Sequence, residues 1–234
     1  MFDLSDTAWT AIALTLRIAV VATLVATPLG IGVAWLLARR RFPGKIILEA
    51  LVHLPLVLPP VVTGYLLLLS FGRRGPIGMF LAETFGIVLS FRWTGAALAC
   101  GIMAFPLLVR PIRLSFETID TRLEQAATTL GANPFWAFAT ITLPLALPGI
   151  IAGMVLCFAK ALGEFGATIT FVSNIPGETQ TISSAVYALI QTPTGDREAS
   201  QLILISLILA FGALLVSEAM ARRARSRLGQ AAQS

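Results

Sequence analysis

The sequence predicts an all-α integral membrane protein: one transmembrane domain over residues 1–234, built as a bundle of five helices. Three observations lead there. Hydrophobic residues make up 56% of the chain and charged residues only 12%, against about 25% charged in a soluble domain. Mean hydropathy is +0.84, and several apolar runs exceed the roughly 20 residues needed to cross a bilayer. The basic residues, which give a net charge of +5, cluster directly after apolar runs. That is the flanking pattern of membrane spans rather than a nucleic-acid surface. At this length no soluble catalytic domain is expected beside the spans.

The first apolar run extends from Thr10 to Ala38. Asp3 and Asp6 precede it with no basic stretch, so a cleaved leader is not expected and this span stays in the mature protein. The second, Ile46–Phe71, contains Pro55, Pro59 and Pro60. Each proline removes a backbone donor, which a membrane tolerates where the freed carbonyls find partners or face a cavity. Residues 54–63 are therefore read as irregular and facing a subunit interface or a translocation path, with a packing kink as the alternative. Glu49 and His53 read as interfacial or capping residues. The third run is Thr94–Val109, the fourth Leu145–Val172 and the fifth Gln201–Met220. Cys100 and Cys157 lie inside apolar runs without metal-ligand spacing, so both read as packing residues and the chain as disulfide-free.

Placing the 39–45 loop inside puts the N-terminus outside and the 110–144 loop and C-terminus inside. Arg39, Arg40, Arg41, Lys45, Arg110, Arg113, Arg122, Arg222, Arg223, Arg225 and Arg227 then fall inside. Arg73, Arg74, Arg92 and Arg197 fall outside, and Arg17 and Lys160 lie within spans. Eleven against four supports this orientation. A sixth span arises only if Ile77–Phe91 inserts; Glu83 and its short length favour a re-entrant or interfacial segment. The outer loops carry turn chemistry at Gly75-Pro76, Pro176-Gly177 and Thr192-Pro193-Thr194-Gly195. Thr181–Ile190 is expected to form a short amphipathic helix on the membrane or capping the bundle.

The inner loop, about residues 112–144, is the most informative stretch. Asp120 is placed to cap a helix starting at Thr121, with Glu124 in its first turn against the helix dipole. Gly131 is placed to end that helix. Asn133-Pro134 reads as the cap and first residue of a second helix, running to about Thr142 before Pro144. Ala126 and Ala127 leave one face thin enough for a partner's backbone. Leu123, Leu130, Phe135, Trp136 and Phe138 supply more apolar surface than a solvated loop needs. They either meet a partner or pack on the inner ends of the bundle.

These residues resemble the Glu-Ala-Ala loop of the permease subunits of ATP-binding-cassette importers: Glu-Ala-Ala, three residues, Gly, nine residues, Ile-x-Leu-Pro. The matching positions are Gln125-Ala126-Ala127, Gly131, Ile141 and Leu143-Pro144, with Gln125 at the family's glutamate and Glu124 just before it. The resemblance extends to residues 53–65, 71–78, 161–168 and 173–179, which are similar to molybdate-transporter permeases, with sulfate permeases related. It implies a type I importer bundle whose inner loop is a coupling helix docked on a separate ATPase subunit. It also implies two permease copies lining one path, a periplasmic oxyanion-binding protein outside, and a bacterial inner-membrane location. ATP would be bound by the partner and no cofactor by this chain.

Within the fourth span, Lys160 and Glu164 share a helix face and can neutralise each other. An ionisable residue in a span is otherwise a functional-site candidate. Gly163, Glu164, Phe165, Gly166 and Thr168 are read as a narrow, flexible pathway point, with Phe165 as an apolar plug. Thr63, Thr168, Thr170, Ser173 and Asn174 are candidate donors for a tetrahedral oxyanion near the outer mouth, where weak sites favour passage. Arg17 is expected to snorkel outward.

The chain lacks a G-x-x-x-x-G-K-[ST] phosphate loop, because Gly44-Lys45 is followed by Ile46. With a single histidine, no catalytic or metal-binding set is expected, so energy must enter through a partner. The leading reading is a molybdate permease subunit, with tungstate and sulfate or thiosulfate as alternative substrates. An ion-coupled secondary transporter would need a carboxylate relay or inverted repeats, and a scaffold would transport nothing.

Overall fold

The computed structural model describes residues 4–193 and 195–231. Helix α1 (Asp6–Arg39) begins where the Ser5 hydroxyl accepts a hydrogen bond from the Ala8 amide. Ser5 also donates to Glu198, tying the start of the first span to the start of the last. At about 1.5 Å per residue, α1 is long enough to cross a bilayer and project beyond it.

The second apolar run is a broken element rather than an irregular one. Helices α2 (Lys45–Val57) and α3 (Pro60–Phe71) meet at a bend of 115° across Leu58 and Pro59. Pro60 sits at the first position of α3, where its missing amide costs nothing. Helix α4 (Pro76–Phe85) is only 10 residues long and stops at Gly86 in the left-handed region. Residues 77–91 therefore add no sixth span.

Helix α5 (Trp93–Thr118) runs well past Val109. Arg110 and Arg113 thus lie on a helix, not in a loop. Two short helices follow, α6 (Thr121–Thr129) and α7 (Pro134–Ala137), then a π turn over Phe138–Thr142 and helix α8 (Leu143–Leu162). The expected stop before Pro144 does not occur, because Pro134–Leu162 is continuous. The π turn explains this. The Leu143 amide reaches back five residues to the Phe138 carbonyl, and the wider turn absorbs the proline that would otherwise disrupt the helix.

The fourth apolar run is also broken. Helix α8 ends at Leu162, and α9 (Gly166–Val172) begins after Gly163–Phe165. Helix α10 (Ile182–Leu189) carries a capping box between Thr181 and Ser184. It packs Ile182 and Ala185 against Ala8, Ala11, Ile12 and Leu202, and so closes one end of the bundle. Helix α11 (Asp196–Ala231) is the last described element. The side chains of Arg222, Arg223, Arg225 and Arg227, together with Asp3 and Thr194, lie outside the described residues.

Among the described residues, four helical stretches are long and apolar enough to cross a membrane: α1, α5, Pro134–Leu162 and Asp196–Val216. The bent α2–α3 pair makes up to five. Helix α5 is the central one. Ala96, Ala99, Ala104, Leu108 and Ile112 are fully buried on it. Small residues let its neighbours approach closely, the usual means of packing spans in lipid. A Cβ added at Gly153 of α8 would lie 2.5 Å from the Leu108 carbonyl oxygen. Outward-facing Val20, Leu24, Val25, Leu29, Leu207 and Phe211 are exposed, as a lipid-facing surface requires.

Candidate coupling and translocation sites

The elbow at residues 120–142, the candidate coupling site, is built from local chemistry. The Asp120 carboxylate caps α6 by accepting from the Arg122 amide at 2.9 Å. At the other end of α6, Gly131 has φ +90°. Its amide bonds the Thr128 carbonyl at 3.1 Å, and the Ala132 amide bonds the Ala127 carbonyl at 3.0 Å. This pair of bonds is the glycine C-cap that satisfies a helix's last carbonyls. Asn133 then caps α7 by accepting from the Trp136 amide at 2.9 Å.

The elbow is fastened to the bundle through Glu124. Its carboxylate lies 3.6 Å from Arg39 Nη2, at the end of α1, and accepts a hydrogen bond from the Thr142 hydroxyl in the π turn. The same Arg39 nitrogen donates to the Ile119 carbonyl at the end of α5 at 3.0 Å. One guanidinium therefore joins α1, α5 and α6, while Thr142 is fully buried. Phe138 packs edge-on against Trp35 and tilted against Phe116, so this aromatic belongs to the bundle. Leu123, Leu130, Phe135 and Trp136 do not; they are exposed, Leu130 at 89%. Of the loop's five apolar residues, Phe138 packs on the bundle and the other four are left uncovered.

Ala126 and Gln125 are exposed on the same helix, and Ala127 and Ile141 are partly covered. A cleft of about 380 Å³ opens beneath the elbow, lined by Arg39, Arg40, Glu124, Gln125 and Thr128. Arg40 lies over the Trp35 ring at 5.4 Å, a cation–π placement. Sequence reading singled out Glu124 but missed Arg39 and Thr142. Arg39 was hidden in a run of three arginines, and Thr142 in the Ile141–Pro144 pattern.

The second site is where the two broken elements meet. Helices α3 and α9 pack so closely that a Cβ at Gly64 would lie 2.4 Å from the Ala167 carbonyl oxygen. One at Gly166 would lie 2.7 Å from Pro60. Glu164 bridges the break between α8 and α9. Its Oε2 accepts from Lys160 Nζ at 2.7 Å and its Oε1 from the Ala167 amide at 3.0 Å. The Glu164 side chain is 1% exposed and that of Lys160 32%. Phe165 packs tilted against Tyr187 of α10 with ring centroids 5.0 Å apart. Gly163 is exposed with open space around it.

Two of the candidate oxyanion donors spend their hydroxyl protons on their own helix. The hydroxyls of Thr168 and Thr170 donate to the Phe165 and Gly166 carbonyls, each at 2.9 Å. Thr63 Oγ1 and Asn174 Oδ1 are buried without partners, and Ser173 adopts φ +66°. Elsewhere, His53 bonds the Glu49 carbonyl and Glu49 pairs with Arg113 at 2.8 Å. Arg17 stacks over Trp93 at 3.8 Å. Among the described residues no group of three or more His, Cys, Asp or Glu is placed to hold a metal.

An all-helical bundle with two broken spans and an exposed elbow defines a membrane transport component. The chain belongs to the family of binding-protein-dependent transport system inner membrane components, whose pattern matches residues 26–227. It is 59% identical over 227 residues to the molybdenum transport system permease protein ModB of Escherichia coli K12, covering 97% of this chain and 99% of that one. It is 36% identical over 212 residues to the sulfate transport system permease protein CysT of Salmonella typhimurium, covering 89% and 76%. Among solved structures, a bacterial ABC transporter importing alginate matches with a TM-score of 0.72 at 19% identity, covering 94% of this chain and 80% of that one. That likeness carries the fold, a type I importer permease bundle.

Proposed function

We propose that the chain is the membrane-spanning permease subunit of an ATP-driven, binding-protein-dependent molybdate importer. The observation that carries this reading is the elbow at residues 120–142, which leaves apolar side chains exposed yet is fastened to three bundle elements through Arg39, Glu124 and Thr142. A loop serving only its own fold would bury those side chains; a docking element has to present them. Identity of 59% over 97% of the chain to a molybdenum permease, against 36% over 89% to a sulfate permease, supports molybdate over sulfate.

In this reading the elbow sits in the cytoplasm, docks on an ATP-binding-cassette ATPase, and Glu124, Gln125, Ala126, Ala127, Gly131, Ile141, Leu143 and Pro144 form its coupling set. The N-terminus is periplasmic and the C-terminus cytoplasmic. Two copies line one path, and a periplasmic oxyanion-binding protein delivers substrate to the loops around α4 and α10. Closure of the ATPase dimer draws the two elbows together and turns the path from inward-open to outward-open. Gly163, Glu164, Phe165, Gly166 and Thr168 form the narrow point. The chain itself carries no chemistry: it is a translocation subunit, and ATP is bound and hydrolysed by its partner.

The test is reconstitution of the permease, its ATPase and the binding protein in liposomes, titrating molybdate, tungstate and sulfate against ATPase rate and uptake. Uptake that needs ATP and the binding protein, with molybdate active and sulfate weak, is the expected result. Uptake driven by an ion gradient alone would establish a secondary carrier, and no uptake at all a scaffold.

A further inference from the structure

We infer that Lys160 is the direct contact for the translocating oxyanion, and that Glu164 holds it as a counter-charge; this rests on the permease reading above. The pair is asymmetric. The two oxygens of Glu164 accept from Lys160 Nζ at 2.7 Å and from the Ala167 amide at 3.0 Å, and its side chain is 1% exposed. Both oxygens of the carboxylate are engaged and fixed in place. Lys160 keeps 32% of its side chain exposed and spends one of its three donors on Glu164.

Position decides what that exposed face meets. Lys160 lies in the last turn of α8, far along a span from the elbow. A cation presented to hydrocarbon there is costly, so such side chains face a bundle interior or a water-filled space. Gly163, three residues on, is exposed, and a Cβ placed there would meet nothing within 4 Å, so open space adjoins this end of α8. Arg17, the other cation the sequence places inside a span, is stacked over Trp93. The fixed carboxylate prevents a deep trap. An oxyanion meets a nearly neutral pair, takes the free donors of Lys160, and leaves again, as conduction through weak sites requires.

The experiment uses the full complex in liposomes with molybdate as the probe. Wild-type uptake that depends on ATP and the binding protein is measured first and tests the permease reading alone. Lys160→Arg is expected to keep at least about a third of wild-type uptake. The neutral double variant K160Q/E164Q removes the buried charge along with its partner. If it assembles with both partners and loses uptake more than tenfold, with a raised KM for molybdate, the inference stands. If it recovers wild-type uptake, the pair is structural only and the inference fails. A second measurement does not depend on variant folding. Lys45 and Lys160 are the chain's two lysines, so both can be carbon-13 dimethylated with their charge kept. The Lys160 signal, assigned by difference from the K160R complex, should shift with molybdate; no shift at saturating molybdate overturns the assignment.

Discussion

Arg39 and Glu124 stand 3.6 Å apart, joining the last residue of α1 to the first turn of α6. The side chains are 12% and 28% exposed, so the pair is partly buried. Because Glu124 also accepts from Thr142, it holds both sides of the elbow at once. Under the proposed coupling role, a push on α6 would pass to α1, α5 and the π turn before α8 together.

Removing that carboxylate should separate hydrolysis from transport. Hydrogen bonds to charged groups contribute about 1.5–3 kcal/mol. Glu124→Gln is therefore expected to weaken elbow attachment by that order and to lower molybdate transported per ATP hydrolysed by about tenfold. Simultaneous measurement of uptake and phosphate release checks it. An unchanged ratio would show that the elbow transmits force without Glu124.

The exposed side of the elbow should behave differently. Leu130 is 89% exposed and Trp136 61%, so Leu130→Asp and Trp136→Asp should leave the free permease's thermal stability within about 0.5 kcal/mol. Binding to the ATPase should weaken by at least about 2 kcal/mol, near thirtyfold, if these residues are docking hot spots. Co-purification and titration calorimetry of the two subunits read this directly.

Gly131 offers a test of backbone alone. A side chain there has open space around it, yet φ is +90°. Gly131→Ala should cost about 1–2 kcal/mol from left-handed strain only. Gly131→Asn should cost less, because asparagine tolerates that region. Melting temperatures of the two variants, with alanine below asparagine, would confirm that conformation and not contact fixes the corner.

Much of this was legible in the chain. Asp120, Gly131 and Asn133-Pro134 act through their own or adjacent backbone, so residue type and spacing were enough to predict both caps and the corner. The failures share a cause. Whether Pro144 ends a helix depends on whether the preceding turn can widen. The glycines at 163 and 166 marked a flexible point, but not that α8 ends there with Glu164 accepting from the Ala167 amide across the break. Arg39 could be read only as a flanking charge, because its partners, Ile119 and Glu124, are distant in sequence. Helix α5 overran its apolar run because Ile112 and Phe116 continue its buried face past Arg110 and Arg113.

Phe165 packs on Tyr187, which links the break in the fourth span to the capping helix α10. If this pair closes the path, Phe165→Ala should let molybdate leak from loaded liposomes without ATP. Tyr187→Ala should leak less, because it removes only the support of the ring. Tight vesicles from both variants would exclude the plug.

The two broken elements make opposite demands on their glycines. At Gly64 an added methyl would meet the Ala167 carbonyl oxygen at 2.4 Å and the Ala167 Cα at 2.9 Å. Both are backbone atoms of α9, so no side-chain rotation relieves the clash, and α3 and α9 must separate. Overpacking of this kind costs about 1–3 kcal/mol. At Gly163 an added methyl meets nothing within 4 Å, and φ is −98°, so alanine fits both space and backbone. Gly64→Ala is expected to lower the melting temperature and uptake together, whereas Gly163→Ala should keep the melting temperature. If motion at the α8–α9 break is part of the cycle, Gly163→Ala should slow uptake all the same, because it narrows the conformations open to that residue. Equal melting temperatures for the two variants would mean that the α3–α9 crossing is looser in the membrane than the glycine contact implies.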